Sequence, residues 1–100
     1  MAVCSVSVVP VGTGSTSVSS YVARCQEVLK DSAGVKYRLT PMATVLEGDV
    51  ERLLEIVLDL HRVPFGEGAK RVLTTVIIDD RTDKPLSMEG KIEAVEKKLR

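Results

Sequence analysis

The chain has 100 residues, of which 44% are hydrophobic and 28% charged, and its fourteen Lys and Arg residues balance fourteen Asp and Glu residues. This length and composition predict one globular domain over residues 1–100 and exclude a disordered chain. Net neutrality and only three aromatic side chains argue against nucleic-acid binding, which depends on basic surfaces and on rings that stack with bases.

Neither a membrane segment nor a disulfide framework is predicted. The longest uncharged stretch, residues 1–23, is rich in Ser, Gly and Thr and lacks the basic start of a signal peptide. Two cysteines, Cys4 and Cys25, are too few for a disulfide-stabilised scaffold. We expect both to be small buried thiols in a reducing compartment, and the predicted location is the cytoplasm.

The first half of the chain changes between strand and helix patterns. Residues 2–11 alternate in the manner of a strand, and the glycines of residues 12–15 favour a turn. From Val18 an apolar stripe at helical spacing predicts the first helix, with serines offering N-caps. Residues 37–47 are extended again, and the central Pro41 divides them into two short strands.

The second half completes a known supersecondary order. Asp49 is expected to cap a second helix, which the segment 64–68, beginning with Pro64, should end. Residues 72–78 form the strongest strand, and Ser87 caps a short final helix. The stripe of that helix is Met88, Ile92, Val95 and Leu99. The order predicts an α+β, ferredoxin-like βαββαβ sandwich with an additional C-terminal helix.

The predicted sheet has apolar residues on both faces. The last strand places Val76 and Ile78 on one side and Leu73 and Ile77 on the other. Two helices cover one face, and the short third helix cannot cover all of the other. We therefore predict a homo-oligomer formed through the open sheet face, because large bare apolar patches are rare in monomers. The alternative is a monomer whose C-terminal residues fold back over that face.

No catalytic, metal or cofactor site is predicted. His61 is the only histidine and lies on an apolar helical stripe, so we expect a partly buried side chain and not a ligand or base. Neither Cys4 nor Cys25 has a second Cys or a His at metal-ligand spacing. Residues 12–15 lack the dinucleotide and P-loop signatures, although such a turn suits a small polar or anionic group.

Glu47 is the one carboxylate that stands outside solvated helix or loop positions. It follows the mostly apolar run 43–46. There it could accept hydrogen bonds from an aminopyrimidine or another cationic heterocycle. The other interpretation is a capping residue, or a partner for a nearby base such as Arg52. Both interpretations stay open at the level of the sequence.

Four segments together resemble the small thiamine-binding-protein family. They are residues 8–13 (VVPVGT) with Ser17, residues 40–48 (TPMATVLEG), residues 70–72 (KRV) and residues 79–84 (DDRTDK). The resemblance covers essentially the whole chain, since their order and spacing also agree. Ala43 stands where some relatives have glycine.

The resemblance implies a ferredoxin-like fold, sheet-to-sheet dimers that often pair into tetramers, and non-catalytic binding of thiamine or its hydroxymethylpyrimidine half. The implied site residues are Pro10, Gly12, Ser17, Met42, Thr44 and Glu47. Two alternatives come from other classes. One is a structural or regulatory oligomeric module that binds another small anionic effector. The other is an enzyme, for which only Glu47 and His61 offer an acid or base.

Overall fold

The computed structural model describes all 100 residues and contains four strands and three helices. In chain order the elements are β1 Ala2–Val11, α1 Ser19–Lys30, β2 Lys36–Leu39, β3 Thr44–Gly48, α2 Val50–Gly66, β4 Arg71–Asp80 and α3 Met88–Lys98. The division of the middle extended region at Pro41 is confirmed, because Pro41 lies in the turn between β2 and β3.

The four strands form one antiparallel sheet in the order β2-β3-β1-β4. β1 is central: it pairs with β3 as far as Val6 and Thr44, and with β4 along its whole length. Each βαβ crossover skips one strand, which is the split arrangement of the ferredoxin-like sandwich. The predicted fold class is therefore confirmed, with α3 as the additional helix.

Strand alternation gives the sheet two different faces. On β1 the even-numbered residues, including Cys4 and Val6, belong to the core that also contains Cys25 of α1 and Leu60 of α2. We call this side the helix face. The odd-numbered residues of β1 lie on the opposite side, which we call the open face.

α2 ends within the segment 64–68, as predicted, although not at Pro64 itself. The helix continues to Gly66, and Pro64 is buried inside its last turn. A proline in a helix removes the hydrogen bond to the carbonyl four residues earlier, here that of Leu60. The Cys25 thiol instead donates to the Leu60 carbonyl, with Sγ at 3.9 Å from the oxygen. This tertiary contact partly replaces the missing backbone bond.

The start of α1 also differs from expectation. The N-cap position is Val18, and no serine side chain caps the helix. The Ser15 hydroxyl accepts a hydrogen bond from the Ser17 amide at 3.1 Å, inside the preceding loop. The side chain of Val18 itself is half-buried.

The third helix is fixed to the open face at its N-terminal end. Ser87 is its N-cap, as predicted, and accepts a hydrogen bond from the Gly90 amide at 3.0 Å. Within α3 only Met88 is buried, and the rest of the predicted stripe is exposed. None of the three helices combines the length and apolarity needed to cross a membrane.

Candidate functional site

A cleft of about 190 Å³ opens on the helix face, between α1 and the β2–β3 turn. Its walls are mainly apolar side chains from three parts of the chain: Val6 and Val8 of β1, Val18 and Val22 at the start of α1, and Leu39 and Met42 around the turn. Met42 is 86% exposed and lies at the rim, whereas Val6 belongs to the buried core.

Of the two threonine hydroxyls in the cleft, only that of Thr44 keeps its proton available to a ligand. The Thr40 hydroxyl donates to the Ala43 carbonyl at 2.7 Å and accepts from the Ala43 amide at 3.1 Å, so it is used within the turn. Ser7 also lines the cleft, but it is an odd-numbered residue of β1, so strand alternation directs its side chain to the open face. Thr44 is 8% exposed, and its hydroxyl accepts a hydrogen bond from Gln26 at 3.0 Å.

The structure brings together two of the six predicted site residues, Met42 and Thr44, which both line the cleft. Pro10 is buried on the helix face of β1, beyond the lining residue Val8. Ser17 is exposed and directly precedes the lining residue Val18. Gly12 is in the exposed turn after β1, where its φ of 76° favours glycine. None of these three residues lines the cleft, and only Pro10 and Ser17 directly adjoin a lining residue in the sequence.

Glu47 is separated from the cleft by the sheet. It is the cross-strand neighbour of Val3, on the open face, and it is 5% exposed. One carboxylate oxygen, Oε1, accepts a hydrogen bond from the Met88 amide at 2.8 Å, and Oε2 lies 3.9 Å from Nζ of Lys36. Glu47 thus caps α3, and its basic neighbour is Lys36 and not Arg52.

His61 has the structural environment expected from the sequence. It is partly buried, and its Nδ1 lies 2.7 Å from the Thr74 hydroxyl, which joins α2 to β4. Its ring meets that of Phe65 edge to face, with the centroids 5.6 Å apart. Both contacts hold the imidazole outside the cleft.

Both thiols are unpaired and buried. Desolvation by burial raises the pKa of Cys4 and of Cys25 above the ordinary thiol value, because the thiolate would lose its hydration. Only Cys25 lines the cleft. No group of His, Cys, Asp and Glu side chains gathers in a way that could hold a metal ion.

The sequence interpretation did not include Gln26. It lies four residues after Val22 and three before Leu29, at the border of the apolar stripe of α1. A long uncharged polar residue in that position can reach the sheet. This spacing is the feature of the sequence that could have indicated a role for Gln26. Its partner on β3 depends on tertiary packing.

Comparison with known proteins places the chain among short bacterial and archaeal relatives. It is 47% identical over 102 residues to the UPF0045 protein in the glkA 3'region of Staphylococcus xylosus, covering 99% of this chain and 95% of the relative. It is 43% identical over 102 residues to the UPF0045 protein YqgV of Bacillus subtilis, covering 99% and 98%.

Solved structures of similar proteins have the same fold as this chain. A hypothetical protein from Methanocaldococcus jannaschii superposes with a TM-score of 0.85 at 36% identity, over 95% of each chain. A candidate thiamine biosynthesis or salvage protein of Thermotoga maritima gives a TM-score of 0.77 at 26% identity, over 94% of this chain and 97% of that one. The family model described as "Thiamine-binding protein" matches residues 4–96. The chain therefore belongs to the thiamine-binding protein family.

Proposed function

We propose that this chain is a non-catalytic cytoplasmic protein that binds thiamine or its hydroxymethylpyrimidine half as a homo-oligomer. The observation that carries the proposal is the apolar cleft on the helix face, with the Thr44 hydroxyl as its buried polar group. Ligand sites of this kind combine apolar walls with a few well-placed polar groups. Family membership adds thiamine as the ligand to test first.

The size of the cleft favours one ring. Drug-sized ligands need pockets of roughly 300–1,000 Å³, whereas an apolar cavity of about 150 Å³ accepts benzene. At about 190 Å³, the cleft suits a single substituted six-membered ring. In thiamine this ring is the pyrimidine, so the thiazolium half would extend past Met42 at the rim.

The charge of the cleft supports the same orientation. Its lining includes no Lys, Arg, Asp or Glu residue. A neutral ring can enter such a site without losing ionic hydration, whereas a buried ion would need a partner. The lining therefore favours a neutral heterocycle over a small anion within this cleft.

The two side chains that the sequence offers as acid or base have structural partners outside the cleft. Glu47 is hydrogen-bonded to the Met88 amide, and His61 to the Thr74 hydroxyl. These contacts support binding without catalysis. The proposed cytoplasmic location is supported by the two buried, unpaired thiols, which are typical of reducing compartments.

The proposed assembly forms through the open face, as a dimer or a pair of dimers. An apolar patch remains there beyond α3, made of Val9, Val11, Leu73 and Ile77; we call it the open-face patch. Leu73 is 64% and Ile77 66% exposed. Exposure of such an apolar surface to water is unfavourable. In a symmetric dimer the same patch of a second copy would cover it.

Calorimetric titration tests the proposed ligand. We expect the purified protein to release or absorb heat with thiamine and with the hydroxymethylpyrimidine fragment, and not with the thiazole fragment. Val22→Phe, in the wall of the cleft, should weaken binding, whereas Ala23→Phe, exposed on the same helix, should not. No heat and no thermal shift at millimolar thiamine or pyrimidine would refute the proposed ligand.

A further inference from the structure

Gln26 and Thr44 form a polar pair between α1 and β3 at the cleft. The side-chain amide of Gln26 donates to the Thr44 hydroxyl, with Nε2 at 3.0 Å from Oγ1. Gln26 is half-buried and is not itself part of the lining, whereas Thr44 is. Gln26 therefore acts on the cleft through Thr44.

The direction of this hydrogen bond determines what the hydroxyl can offer. A threonine hydroxyl has one proton to donate and two lone pairs to accept with. Because Gln26 donates to Thr44, one lone pair is occupied and the proton stays available. The Thr44 hydroxyl donates to no other protein group. A ligand in the cleft therefore meets the Thr44 hydroxyl as a hydrogen-bond donor, and Gln26, outside the lining, holds that hydroxyl in place.

We infer that Gln26 is a positioning residue that determines ligand specificity, because it holds the Thr44 hydroxyl as a hydrogen-bond donor toward the cleft. The inference rests on the proposed function and adds to it the chemistry of the ring. The cleft selects a neutral heterocycle with an acceptor nitrogen in its ring, as a pyrimidine has. A ring that is all carbon, or that carries N–H at that position, leaves the hydroxyl without an acceptor.

The test compares two probes of equal shape. The first is 4-amino-5-hydroxymethyl-2-methylpyrimidine, and the second is its carbocyclic analogue, with CH in place of both ring nitrogens. In the unsubstituted protein the pyrimidine should bind roughly 3- to 10-fold more tightly, the selectivity expected of one net hydrogen bond between neutral groups. The ratio of the two affinities is the readout, because a merely structural role would change both affinities together.

Three variants separate positioning from packing. Thr44→Val removes the hydroxyl at nearly constant shape, and the ratio should fall to about 1. Gln26→Glu places an acceptor behind Thr44, so the hydroxyl turns to it and the ratio should also fall to about 1. Gln26→Met keeps the length of the side chain but frees the hydroxyl to rotate, and should retain part of the selectivity. Thermal unfolding of each variant checks that it is folded.

The outcomes distinguish this inference from the function on which it rests. If the unsubstituted protein binds neither thiamine nor the pyrimidine, both the proposed function and the inference are overturned. If it binds the pyrimidine but Thr44→Val and Gln26→Glu leave the ratio unchanged, only the inference is overturned. A ratio that falls in Thr44→Val but not in Gln26→Glu shows contact by Thr44 and rejects positioning by Gln26.

Discussion

Thr44 and Glu47 are three residues apart on β3, yet their side chains lie on opposite faces of the sheet. Thr44 faces the cleft with Gln26, and Glu47 faces Met88. A single small ligand in the cleft therefore contacts the first and not the second. Ligand contact by Glu47 stays a prediction that its position does not favour.

Substitution of Glu47 should change stability and not affinity. Glu47→Ala leaves the buried Met88 amide without an acceptor, and we expect a loss of about 1–3 kcal/mol in the free energy of unfolding, measured in urea. Glu47→Gln keeps an acceptor oxygen and should lose less. If Glu47→Gln abolished ligand binding while stability stayed the same, Glu47 would be a ligand contact after all.

The two buried thiols predict a pH dependence of stability. Burial raises the pKa of Cys4 and Cys25 in the folded protein, so that the folded chain keeps protons that the unfolded chain loses. The free energy of unfolding should therefore fall as the pH rises above about 8.5, the ordinary thiol pKa. The double variant Cys4→Ala, Cys25→Ala should show a flatter profile between pH 8 and 10, and an equally steep one would contradict the assignment.

Ligand protection should distinguish the same two cysteines. Cys25 lines the cleft, whereas Cys4, a residue of β1, is buried in the core between the sheet and the helices. Saturating thiamine should slow alkylation of Cys25 at least severalfold and leave that of Cys4 unchanged, as read by peptide mass spectrometry. Equal protection of both thiols would indicate general stabilisation instead of occupancy of the cleft.

At the level of elements, local chemistry in the sequence predicts most of this fold. Pro41 divides the middle strand because proline cannot continue a central ladder, and Ser87 caps α3 because its hydroxyl reaches an N-terminal amide. The continuation of α2 past Pro64 has a tertiary cause. Its helix continues where the Cys25 thiol meets the freed Leu60 carbonyl, and that neighbour comes from a distant part of the chain.

The site was less predictable than the fold. Thr44 and Met42 were predicted as site residues because of a family resemblance, and both line the cleft in the structure. Strand alternation alone separates Thr44 from Glu47, so that part of the geometry was already present in the sequence. The pairing of Gln26 with Thr44 was not, because it depends on how α1 lies across β3.

Hydrogen exchange should report whether α3 takes part in assembly. Beyond Met88 the helix is exposed, with Leu99 at 80%, so its amides should exchange quickly in a dilute monomer. Those of central β1 should exchange slowly. If copies associate over the open face, protection of α3 should rise with protein concentration while β1 stays constant. Protection that is independent of concentration down to the monomer would place α3 outside the interface.

On the scale of the whole molecule, the proposed binding site and the proposed interface lie mainly on different sides of the sheet, and Val9 is the one residue of the open-face patch that also lines the cleft. The cleft opens on the helix face, and the open-face patch lies on the other side. Burial of one Leu or Ile side chain contributes about 1.5–3 kcal/mol, so the four patch residues of each subunit together supply a driving force comparable to the roughly 4–15 kcal/mol that association costs. Ligand binding and assembly should consequently respond to different substitutions.

A charge in the open-face patch should dissociate the oligomer. We expect Ile77→Asp to raise the dissociation constant at least about tenfold, because a carboxylate would be desolvated in the interface. Sedimentation over a concentration series measures this. Leu58→Asp is the matched control, since Leu58 is a similarly exposed apolar residue on α2. An unsubstituted protein that remains monomeric at high concentration would contradict the proposed assembly.

The position of β3 has a consequence for how such proteins diverge. One side of this five-residue strand faces the proposed ligand cleft through Thr44, and the other holds α3 beside the proposed interface through Glu47. Replacement of Thr44 is expected to change what the proposed site recognises, whereas Leu46 on the same side belongs to the core and Glu47 on the other side holds α3. Relatives, or designed descendants, can thus acquire new small-molecule preferences at one strand position without disturbing the proposed assembly.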